Sequence, residues 1–328
     1  MILVTGASGF LGQHLVQHLS AQGREVRALY HHTLPGAALK DLKGVTWMSC
    51  DLLDIFEVEE AMKGITEVYH CAAVVSFLPK DRKQIIHTNV ESTANIVNEA
   101  LEQGIRKMIF VSSVAALGRN QAQKEINEDE EWEESEQNSA YGISKYMAEM
   151  EVWRGIGEGL NAVVINPGII LGEGNWNTGS AQMIKVAYDE FPFYTEGINA
   201  WVDVKDVVHA MDMLMKSPIQ AERFIMSAGN YAYKEIFAMM ARSLDRRAPR
   251  IKASELMTGI VWRLGALKYS IMGTKPLITR ETARNAHKQS LYNNEKLLRY
   301  LPEFSYTPVE QTIQRMAKAY LTRSKLNA

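Results

Sequence analysis

Cysteine is nearly absent from this chain, which has two cysteines, Cys50 and Cys71, among 328 residues. Two thiols are too few for the disulfide framework that holds small secreted proteins together. Each cysteine lies near the end of an apolar run, so we interpret both as buried free thiols. The cysteine content therefore favours a reducing compartment, and we expect a cytoplasmic protein.

The chain also lacks an excess of charge of either sign. It has 36 lysine and arginine residues and 38 aspartate and glutamate residues, a formal net charge of −2. This balance gives no indication of a nucleic-acid partner or of an acidic membrane. Charge is uneven only locally, because eight of the twelve residues from Glu125 to Glu136 are acidic. Such a run is typical of a solvated, mobile loop, although its place just before Tyr141 would also let it cover a site there.

Long hydrophobic runs are missing as well. The chain starts with a strand-like run, residues 1–4, without a basic segment or a cleavage site, so we expect no targeting signal. The most apolar stretch, residues 256–278, is interrupted by Arg263, Lys268 and Lys275, which argues against a membrane span. We expect an amphipathic helix packed on the protein, with a helix lying on a membrane surface as the alternative.

What the sequence does contain is an alternation of short apolar runs and helical patterns through its first half. The apolar runs carry few polar residues, as expected for parallel strands with helices on both faces. They are residues 1–4, 25–30, 45–48, 67–71, 107–112 and 162–165. The spacing of apolar residues is helical in residues 82–103. We therefore predict an α/β fold, a Rossmann doubly wound parallel sheet with a smaller, mostly helical substrate-binding lobe.

The alternation weakens after Gly168, and neither a repeat nor a low-complexity linker separates the two halves. We predict that residues 1–168 form the larger, sheet-containing domain, with residues 200–230 contributing to it. Residues 169–199 and 231–328 are assigned to the substrate-binding lobe. Aromatic residues are concentrated in residues 172–201, where core packing and the wall of a substrate pocket both fit the pattern.

Residues 5–12 read TGASGFLG, a G-x-x-G-x-x-G arrangement between the first strand and a helix. Gly6 permits the tight turn out of the strand, Gly9 lets backbone approach a pyrophosphate, and Gly12 lets the helix pack close to the sheet. The free N–H groups and the positive end of the helix then face the phosphates. This context predicts a dinucleotide site, which makes residues 1–168 the predicted dinucleotide-binding domain.

The chain has no acidic residue about 20 residues past Gly12, where it reads Tyr30-His31-His32. An acidic side chain there would bind the 2′-hydroxyl of NAD and repel the 2′-phosphate of NADP. Its absence, with Arg24 and Arg27 nearby, favours NADP slightly over NAD and makes His31 a predicted cofactor contact. A solvent-exposed loop is the competing interpretation of the two histidines.

A spacing of four residues places Tyr141 and Lys145 on one face of a predicted helix, one turn apart. A tyrosine hydroxyl has an ordinary pKa of about 10, and a neighbouring ammonium would lower that pKa toward the neutral range. Tyr141 could then exchange a proton with a substrate oxygen.

Two hydroxyls, those of Ser112 and Ser113, follow a strand-like run at the edge of the sheet where ligands bind. We choose Ser113 as the catalytic serine, because its hydroxyl could stabilise charge that develops on a substrate oxygen. For Ser112, a hydrogen bond to backbone at the end of the strand is the favoured interpretation.

Taken together, these segments resemble the extended short-chain dehydrogenase/reductase family, over nearly the whole chain. The resemblance is carried, in the family's order, by TGASGFLG (5–12), DL (51–52), HCAA (70–73), NV (89–90), VSS (111–113), YGISK (141–145), NPG (166–168) and WVDVKDV (201–207). It implies that Ser113, Tyr141 and Lys145 form the catalytic triad, with Lys145 also on the nicotinamide ribose. His70, Asp203 and Asp206 are interpreted as structural.

The resemblance also implies a set of binding residues. Asp51 and Leu52 would bracket the adenine, and Pro167 and Gly168 would line the nicotinamide. The predicted cofactor contacts are Gly6, Ser8, Gly9, Phe10, Leu11, Gly12, His31, Asp51, Leu52, Cys71, Ala72, Ala73, Asn89, Ser112, Tyr141, Lys145, Pro167 and Gly168. The predicted substrate contacts are Phe77, Ser113 and Asn166, and no metal site is predicted.

Within the family the chain is most similar to the dihydroflavonol-4-reductase-like branch, on VRALYHH (26–32), AAVVSF (72–77) and residues 276–301. We therefore expect an enzyme that uses NADP or NAD to reduce a carbonyl, or oxidise an alcohol, of a small, partly apolar substrate. The family also implies that helices such as residues 82–103 could pair in a homodimer.

Two other functions fit the same residues. A nucleotide-sugar epimerase or dehydratase would use the same triad with tightly bound NAD, and the basic residues from Arg242 to Lys252 could hold a pyrophosphate. Ala115-Ala116 after the serines, without an acidic pair, argues against dehydration. A cofactor-sensing regulator without turnover is the third alternative, although such proteins often lose the tyrosine or the lysine that this chain retains.

Overall fold

Seven parallel strands form the central sheet of the computed structural model, which describes residues 1–33, 36–118, 125–133, 135, 138–272 and 279–326. They are β1 (Ile2–Thr5), β2 (Val26–Tyr30), β3 (Val45–Ser49), β4 (Glu67–His70), β5 (Lys107–Val111), β6 (Ala162–Pro167) and β10 (Glu222–Met226). Their order is β3-β2-β1-β4-β5-β6-β10. Because the chain winds outward in both directions from β1 and β4, a crevice opens at the carboxyl ends of these two strands.

Helices cover both faces of the sheet, and every residue of β1, β4, β5 and β6 is accordingly buried. One face carries α1 (Phe10–Ala21), α7 (Val204–Lys216) and α11 (Glu295–Tyr300). The other carries α3 (Ile55–Met62), α4 (Arg82–Glu102) and α5 (Ala140–Gly157). A short helix, α2 (Ala37–Lys40), lies between β2 and β3. The predicted Rossmann doubly wound fold is confirmed.

A smaller lobe is built mainly from the second half of the chain. Its strands are β7 (Ile169–Leu171), β8 (Phe193–Tyr194), β9 (Ile198–Asp203), β11 (Gly229–Ala232) and β12 (Ile251–Lys252). Its helices are α6 (Gln182–Tyr188), α8 (Tyr233–Ser243), α9 (Glu255–Met272), α10 (Arg280–Asn285) and α12 (Val309–Leu326). Trp176 and the fully buried Trp201 lie in its core with α6, α8 and α12, so core packing explains these two aromatic residues. The division into two domains stays a prediction.

The acidic segment packs against the protein in the part that the structure describes, residues 125–133 and 135. Glu128 and Glu130 are buried, and the Glu128 carboxylate accepts a hydrogen bond from the N–H of Ile225 in β10 (2.8 Å). The guanidinium of Arg223, also in β10, donates to the backbone carbonyls of both glutamates. The expectation of a solvated loop is therefore wrong for Glu128 and Glu130, whose backbone is bonded to a strand distant in sequence, whereas the other described acidic residues, Glu125, Asp129, Glu131 and Glu133, are exposed as expected.

Helix α9, which begins the most apolar stretch of the chain, has two different faces. Thr258 is buried on the inner face, and its hydroxyl oxygen lies 3.0 Å from Nε2 of His287. Leu256, Ile260 and Leu264 are exposed on the outer face. The expectation of a helix packed on the protein therefore holds for one face only. Among the described residues, no helix combines the length and apolar character needed to cross a membrane.

Candidate active site

The turn that follows β1 is shaped by glycine. Gly6 has a φ of +62°, and a Cβ on Gly6 would lie 2.7 Å from the Cα of Ala72. Both facts restrict the position to glycine. A Cβ on Gly12 would collide with the carbonyl oxygen of Gly6, so α1 packs directly on the turn. Gly9, at the N-terminus of α1, is exposed. The turn therefore offers bare backbone at the crevice.

The first N–H groups of a helix have no partner within that helix. In α1 these groups belong to Phe10, Leu11 and Gly12, and the positive end of the helix dipole adds to their attraction for an anion. The side-chain amide of Gln13 donates to the carbonyl of Ser8 (2.6 Å) and fastens the turn to the helix. This backbone surface fits the pyrophosphate of a dinucleotide, which residues 6–12 would hold.

A buried chain of hydrogen bonds lies beneath the turn. The hydroxyl of Thr5 is 2.7 Å from Nδ1 of His70, and Nε2 of His70 is 3.1 Å from the hydroxyl of Thr93. The Thr93 hydroxyl donates to the carbonyl of Asn89, so His70 donates from Nε2 and accepts at Nδ1. Burial, the largest cause, lowers the pKa of His70 to about 3. His70 is thus a neutral, structural residue that joins β1 and β4 to α4.

The segment after β4 is held in place from two sides. The N–H of Ala72 donates to the Thr5 hydroxyl (3.1 Å). The Asn89 side chain accepts from the N–H of Val74 (2.7 Å) and donates to its carbonyl (3.0 Å) and to the hydroxyl of Ser144 (2.9 Å). Ser144 in turn donates to the carbonyl of Tyr141. Asn89 therefore links the strand end to the helix that carries Tyr141.

Neither cysteine is a reactive thiol. Cys50 is a buried free thiol, as predicted, and burial raises its pKa to about 12. Cys71 is also free but only half-buried, and the desolvation of its thiol raises its pKa to about 12 as well. Both side chains therefore stay protonated at neutral pH and act as small apolar groups.

At the predicted adenine end, the structure brings His31 and Asp51 together. Nε2 of His31 lies 3.7 Å from an Asp51 carboxylate oxygen, and both side chains are about half exposed. The ring of His31 stacks on that of His32 with 3.5 Å between the centroids. Leu52, which follows Asp51 in sequence, is half-buried, and its carbonyl accepts a hydrogen bond from Asn95.

The suggestion that Arg24 and Arg27 attract a 2′-phosphate is wrong. Arg24 precedes β2, at the end of the strand opposite the crevice, and pairs with Glu67 (2.8 Å). Arg27 lies near the same end and donates to the carbonyls of Ala61 and Lys63. Strand direction separates both guanidinium groups from the carboxyl edge where His31 lies.

The start of α5 packs tightly on the segment that follows β5. The Ser139 side chain caps the helix by accepting from the N–H of Gly142 (2.8 Å). A Cβ on Gly142 would lie 2.6 Å from the carbonyl oxygen of Ala115. In the same segment the Ser113 hydroxyl accepts from the N–H of Ala115 (3.1 Å), and a hydrogen bond between the Ser113 and Tyr141 side chains acts to lower the pKa of Tyr141. We had assigned no role to Gly142; a glycine within a helical pattern was the available signal.

Lys145 is buried on the same face of α5, one turn after Tyr141. Its ammonium nitrogen lies 4.5 Å from the centre of the Phe110 ring. Burial lowers the pKa of Lys145 to about 8, and the charge of Glu149 opposes that shift. Burial also raises the pKa of Tyr141, and the hydrogen bond with Ser113 acts against the rise. The predicted lowering of the Tyr141 pKa by Lys145 is therefore wrong for this structure, in which desolvation of the phenol is the largest cause and raises that pKa.

A buried glutamate that we did not predict supports this face of α5. Glu149 is fully buried, and one of its carboxylate oxygens accepts from Trp153 (3.2 Å) and Arg223 (3.3 Å). The other accepts from the side-chain amide of Asn166 (3.0 Å). The only sequence signal was a glutamate four residues after Lys145, a position that is usually a solvated ion pair.

Asn166 is completely buried, and its amide also donates to the backbone carbonyl of Ser113 (3.1 Å). The predicted contact between Asn166 and substrate is therefore not supported; the residue holds Ser113 from behind. Ser112 is buried too, and among the described residues its hydroxyl has no hydrogen-bond partner. The favoured bond from Ser112 to backbone is thus absent.

The open side of the site is apolar. Phe77 meets Tyr141 edge to face, with ring centroids 6.0 Å apart. Val74 and Val75, from the segment that Asn89 holds, are 42% and 59% exposed. Pro167, at the end of β6, is buried next to the end of β5. The described residues place no group of three or more His, Cys, Asp or Glu side chains where it could bind a metal ion.

Comparison with known proteins places this geometry in a family. A model of the NAD dependent epimerase/dehydratase family matches residues 2–226. Sterol demethylase protein B of Methylococcus capsulatus (strain Bath) is 29% identical over 300 residues, 90% of this chain and 88% of that protein. Dihydroflavonol 4-reductase of Zea mays is 28% identical over 295 residues, 82% of this chain and 80% of that protein.

A solved structure agrees over the full length. The crystal structure of the protein gox2253 superimposes with a TM-score of 0.81 and 27% identity, covering 99% of this chain and 98% of that one. The resemblance to the extended short-chain dehydrogenase/reductase family, including its dihydroflavonol-reductase-like members, is confirmed.

Proposed function

The chain belongs to the NAD-dependent epimerase/dehydratase family, an enzyme family, and from this premise we propose that it reduces a carbonyl, or oxidises an alcohol, of a partly apolar small molecule. One observation carries the proposal. The phenol of Tyr141 is hydrogen-bonded to Ser113, which follows the carboxyl end of β5, and Tyr141 lies one helical turn from the buried Lys145.

The nicotinamide, when bound, supplies or accepts the hydride. Tyr141 donates the proton to the substrate oxygen in the reducing direction, and its raised pKa keeps the phenol protonated before the step. Ser113 donates a hydrogen bond to the same oxygen as charge develops on it. Lys145 stabilises the phenolate that remains and binds a ribose hydroxyl, and Phe77 excludes water from the open side.

The remaining predicted contacts belong to the same proposal. Residues 6–12 would hold the pyrophosphate, while Asp51 and Leu52 would bind the adenine. Residues 71–73 would contact the ribose, and Pro167 and Gly168 would contact the nicotinamide. The absence of an acidic residue after β2 supports NADP, and with Arg24 and Arg27 directed elsewhere we propose only a modest preference for NADP over NAD, below tenfold in kcat/KM.

An apolar substrate is supported by the exposed Val74 and Val75 next to Phe77 and Tyr141. The relatives are named for sterol demethylation and for dihydroflavonol reduction, which indicates ring-bearing ketones as the first compounds to test.

The test is oxidation of NADPH and NADH by the purified protein with a panel of steroid ketones, dihydroflavonols and simple aryl ketones, and with UDP-sugars as a contrast. We expect ketone-dependent oxidation of exchangeable NADPH. Tightly retained NAD together with interconversion of UDP-sugars would instead make the protein an epimerase. Dinucleotide binding without turnover of any compound would favour the regulator.

A further inference from the structure

The outer face of α9 is an exposed apolar stripe. Leu256, Met257, Ile260, Val261 and Leu264 are 76%, 38%, 52%, 50% and 61% exposed. Their spacing places all five on one side of the helix, which we call the α9 stripe. Exposed apolar residues are ordinary when scattered, but five on one helix face mark a surface that has a partner.

The opposite face of α9 packs toward the cleft. Tyr269 lies under the ammonium of Lys80, 4.8 Å from the centre of its ring. Lys80 belongs to a short turn that begins two residues after Phe77. The next helix, α10, is held to the start of α5 by a hydrogen bond between Glu281 and Ser139, two residues before Tyr141. The helix that bears the stripe thus borders the entrance to the active site.

The sequence segment that carries the stripe has an excess of positive charge, although the whole chain has a net charge of −2. Residues 242–268 contain seven basic and two acidic residues. The exposed cations among the described side chains of this segment are Arg242, Arg246, Arg247, Arg250, Lys252 and Arg263.

Some of these cations have partners on the protein. Arg242, Arg247 and Lys252 each have a glutamate within 4.0 Å, and Arg246 lies over the ring of Tyr188. In the part of the chain that the structure describes, Arg250 and Arg263 have no carboxylate within that distance, although Arg263 lies over the ring of Trp262 and donates to the carbonyl of Gly259 (2.9 Å). Arg263 lies on α9 itself, at the edge of the stripe.

We propose that the α9 stripe docks on an anionic phospholipid membrane. An apolar helix face flanked by arginine and lysine is the composition of helices that lie in the membrane interface. The apolar side chains would enter the boundary between headgroups and acyl chains, and the cations would contact lipid phosphates. A second copy of this chain would bring the same cations together, so charge disfavours it as the occupant.

The position of the stripe has a consequence for the substrate. Because α9 borders the cleft, docking would bring the entrance of the active site to the lipid surface. The substrate would then be a lipophilic ketone or alcohol dissolved in the bilayer, a statement that rests on the proposed function. Docking itself is independent of the chemistry.

The direct test is sedimentation of the full chain with phosphatidylcholine vesicles, with and without phosphatidylglycerol. We expect binding to the anionic vesicles that weakens with salt, and at least tenfold weaker binding for Leu256→Gln/Ile260→Gln/Leu264→Gln. Arg250→Gln/Arg263→Gln should lose part of the binding to anionic vesicles only. The matched control is Phe56→Gln, which removes a 78% exposed aromatic residue from α3 and should bind as the parent does.

Several results would overturn the proposal. They are no vesicle binding, binding that the triple variant retains, and a dimer that the triple variant dissociates in the absence of lipid. Unchanged thermal unfolding confirms that the variant is folded, since the replaced side chains are exposed. A soluble ketone should be reduced equally by parent and variant, whereas a vesicle-borne steroid ketone should be reduced more slowly by the variant. Docking without turnover of any ketone would contradict the proposed function and leave docking intact.

Discussion

The crevice of the central sheet and the outer face of α9 differ in which side chains they bury and which they expose. At the crevice, a chain of buried polar groups is hydrogen-bonded from Thr5 through His70 to Thr93. On α9, apolar groups are exposed to solvent. A buried, hydrogen-bonded network keeps one geometry and suits chemistry that needs precise placement. An exposed apolar face has no such internal partner, and its role depends on the surface outside the protein to which it binds.

Replacing Tyr141 with Phe tests the buried network at the crevice and should have the largest effect, a loss of turnover. The variant keeps the ring and its packing against Phe77 but loses the proton donor and the bond to Ser113. We expect turnover to fall about a thousandfold, the range of general acid catalysis, with cofactor affinity unchanged. Steady-state kinetics and a fluorescence titration of NADPH measure the two quantities. Turnover within tenfold of the parent would show that the buried network is not catalytic.

Adding a Cβ at the glycine turn should have the next largest effect, a loss of affinity for NADPH. In Gly6→Ala the new methyl would lie 2.7 Å from the Ala72 backbone, and φ is +62°. We expect the affinity for NADPH to fall about a hundredfold, because the turn must shift to relieve the clash.

Gly64→Ala is the matched control for that variant. Gly64 has a φ of +73° and open space around its Cβ position, so it isolates the backbone strain of about 1 kcal/mol. Equal cofactor affinity in the two variants would remove the argument that the turn forms the cradle.

Glu149→Gln tests the buried network at the crevice in another way, because it removes one buried charge while the side chain keeps its size and shape. The charge of Glu149 opposes the fall in the Lys145 pKa, so its loss lowers that pKa further below about 8. Lys145 acts when protonated, hence kcat/KM should decline as pH rises through about 8 in the parent and at lower pH in the variant. We also expect a loss of about 2–3 kcal/mol in unfolding free energy, because Arg223 loses its buried partner.

The control for Glu149→Gln is Glu151→Gln on the same helix. Glu151 pairs with Arg154 at the surface (2.9 Å), which contributes at most about 1 kcal/mol. A pH profile of kcat/KM and urea unfolding of both variants provide the test. If kcat/KM of Glu149→Gln declines at the same alkaline pH as kcat/KM of the parent, Glu149 has no part in keeping Lys145 charged.

The smallest expected effect concerns His70 and the pH dependence of stability. Its pKa is about 3 in the folded protein against 6.5 for an ordinary histidine. Below pH 6.5 the unfolded chain therefore binds a proton that the folded protein does not, and stability falls as pH falls. The loss is about 1.4 kcal/mol per pH unit, or about 2 kcal/mol between pH 6.5 and pH 5.

Urea unfolding at several pH values measures this loss. His70→Gln, which cannot take up the proton, should lose less stability over the same interval than the parent. Parallel pH profiles in the two proteins would mean that His70 is not held neutral by the fold.

Local spacing explains why part of the site could be predicted from sequence. The glycines of residues 6–12 and the pair Tyr141 and Lys145 act within one turn or one helix, so their geometry follows from their separation in the chain. The doubly wound sheet was predicted for the same reason, since each strand and helix has its own apolar period.

Other features depend on contacts between distant segments, which spacing does not encode. Glu149 is buried because Asn166 and Arg223 arrive from β6 and β10. The carboxylate of Glu128 is buried because the N–H of Ile225 in β10 supplies its hydrogen-bond partner. Strand direction likewise placed Arg24 and Arg27 away from the crevice. In each case a charged residue that looks solvated in sequence finds a partner far along the chain.

A crystal structure of the protein with NADPH bound tests the central claim most directly. We expect the pyrophosphate against the N–H groups of residues 10–12 and the nicotinamide within reach of the Tyr141 hydroxyl, with the Lys145 ammonium on the adjoining ribose. A nicotinamide remote from Tyr141, or a pyrophosphate bound elsewhere than at the glycine turn, would contradict it.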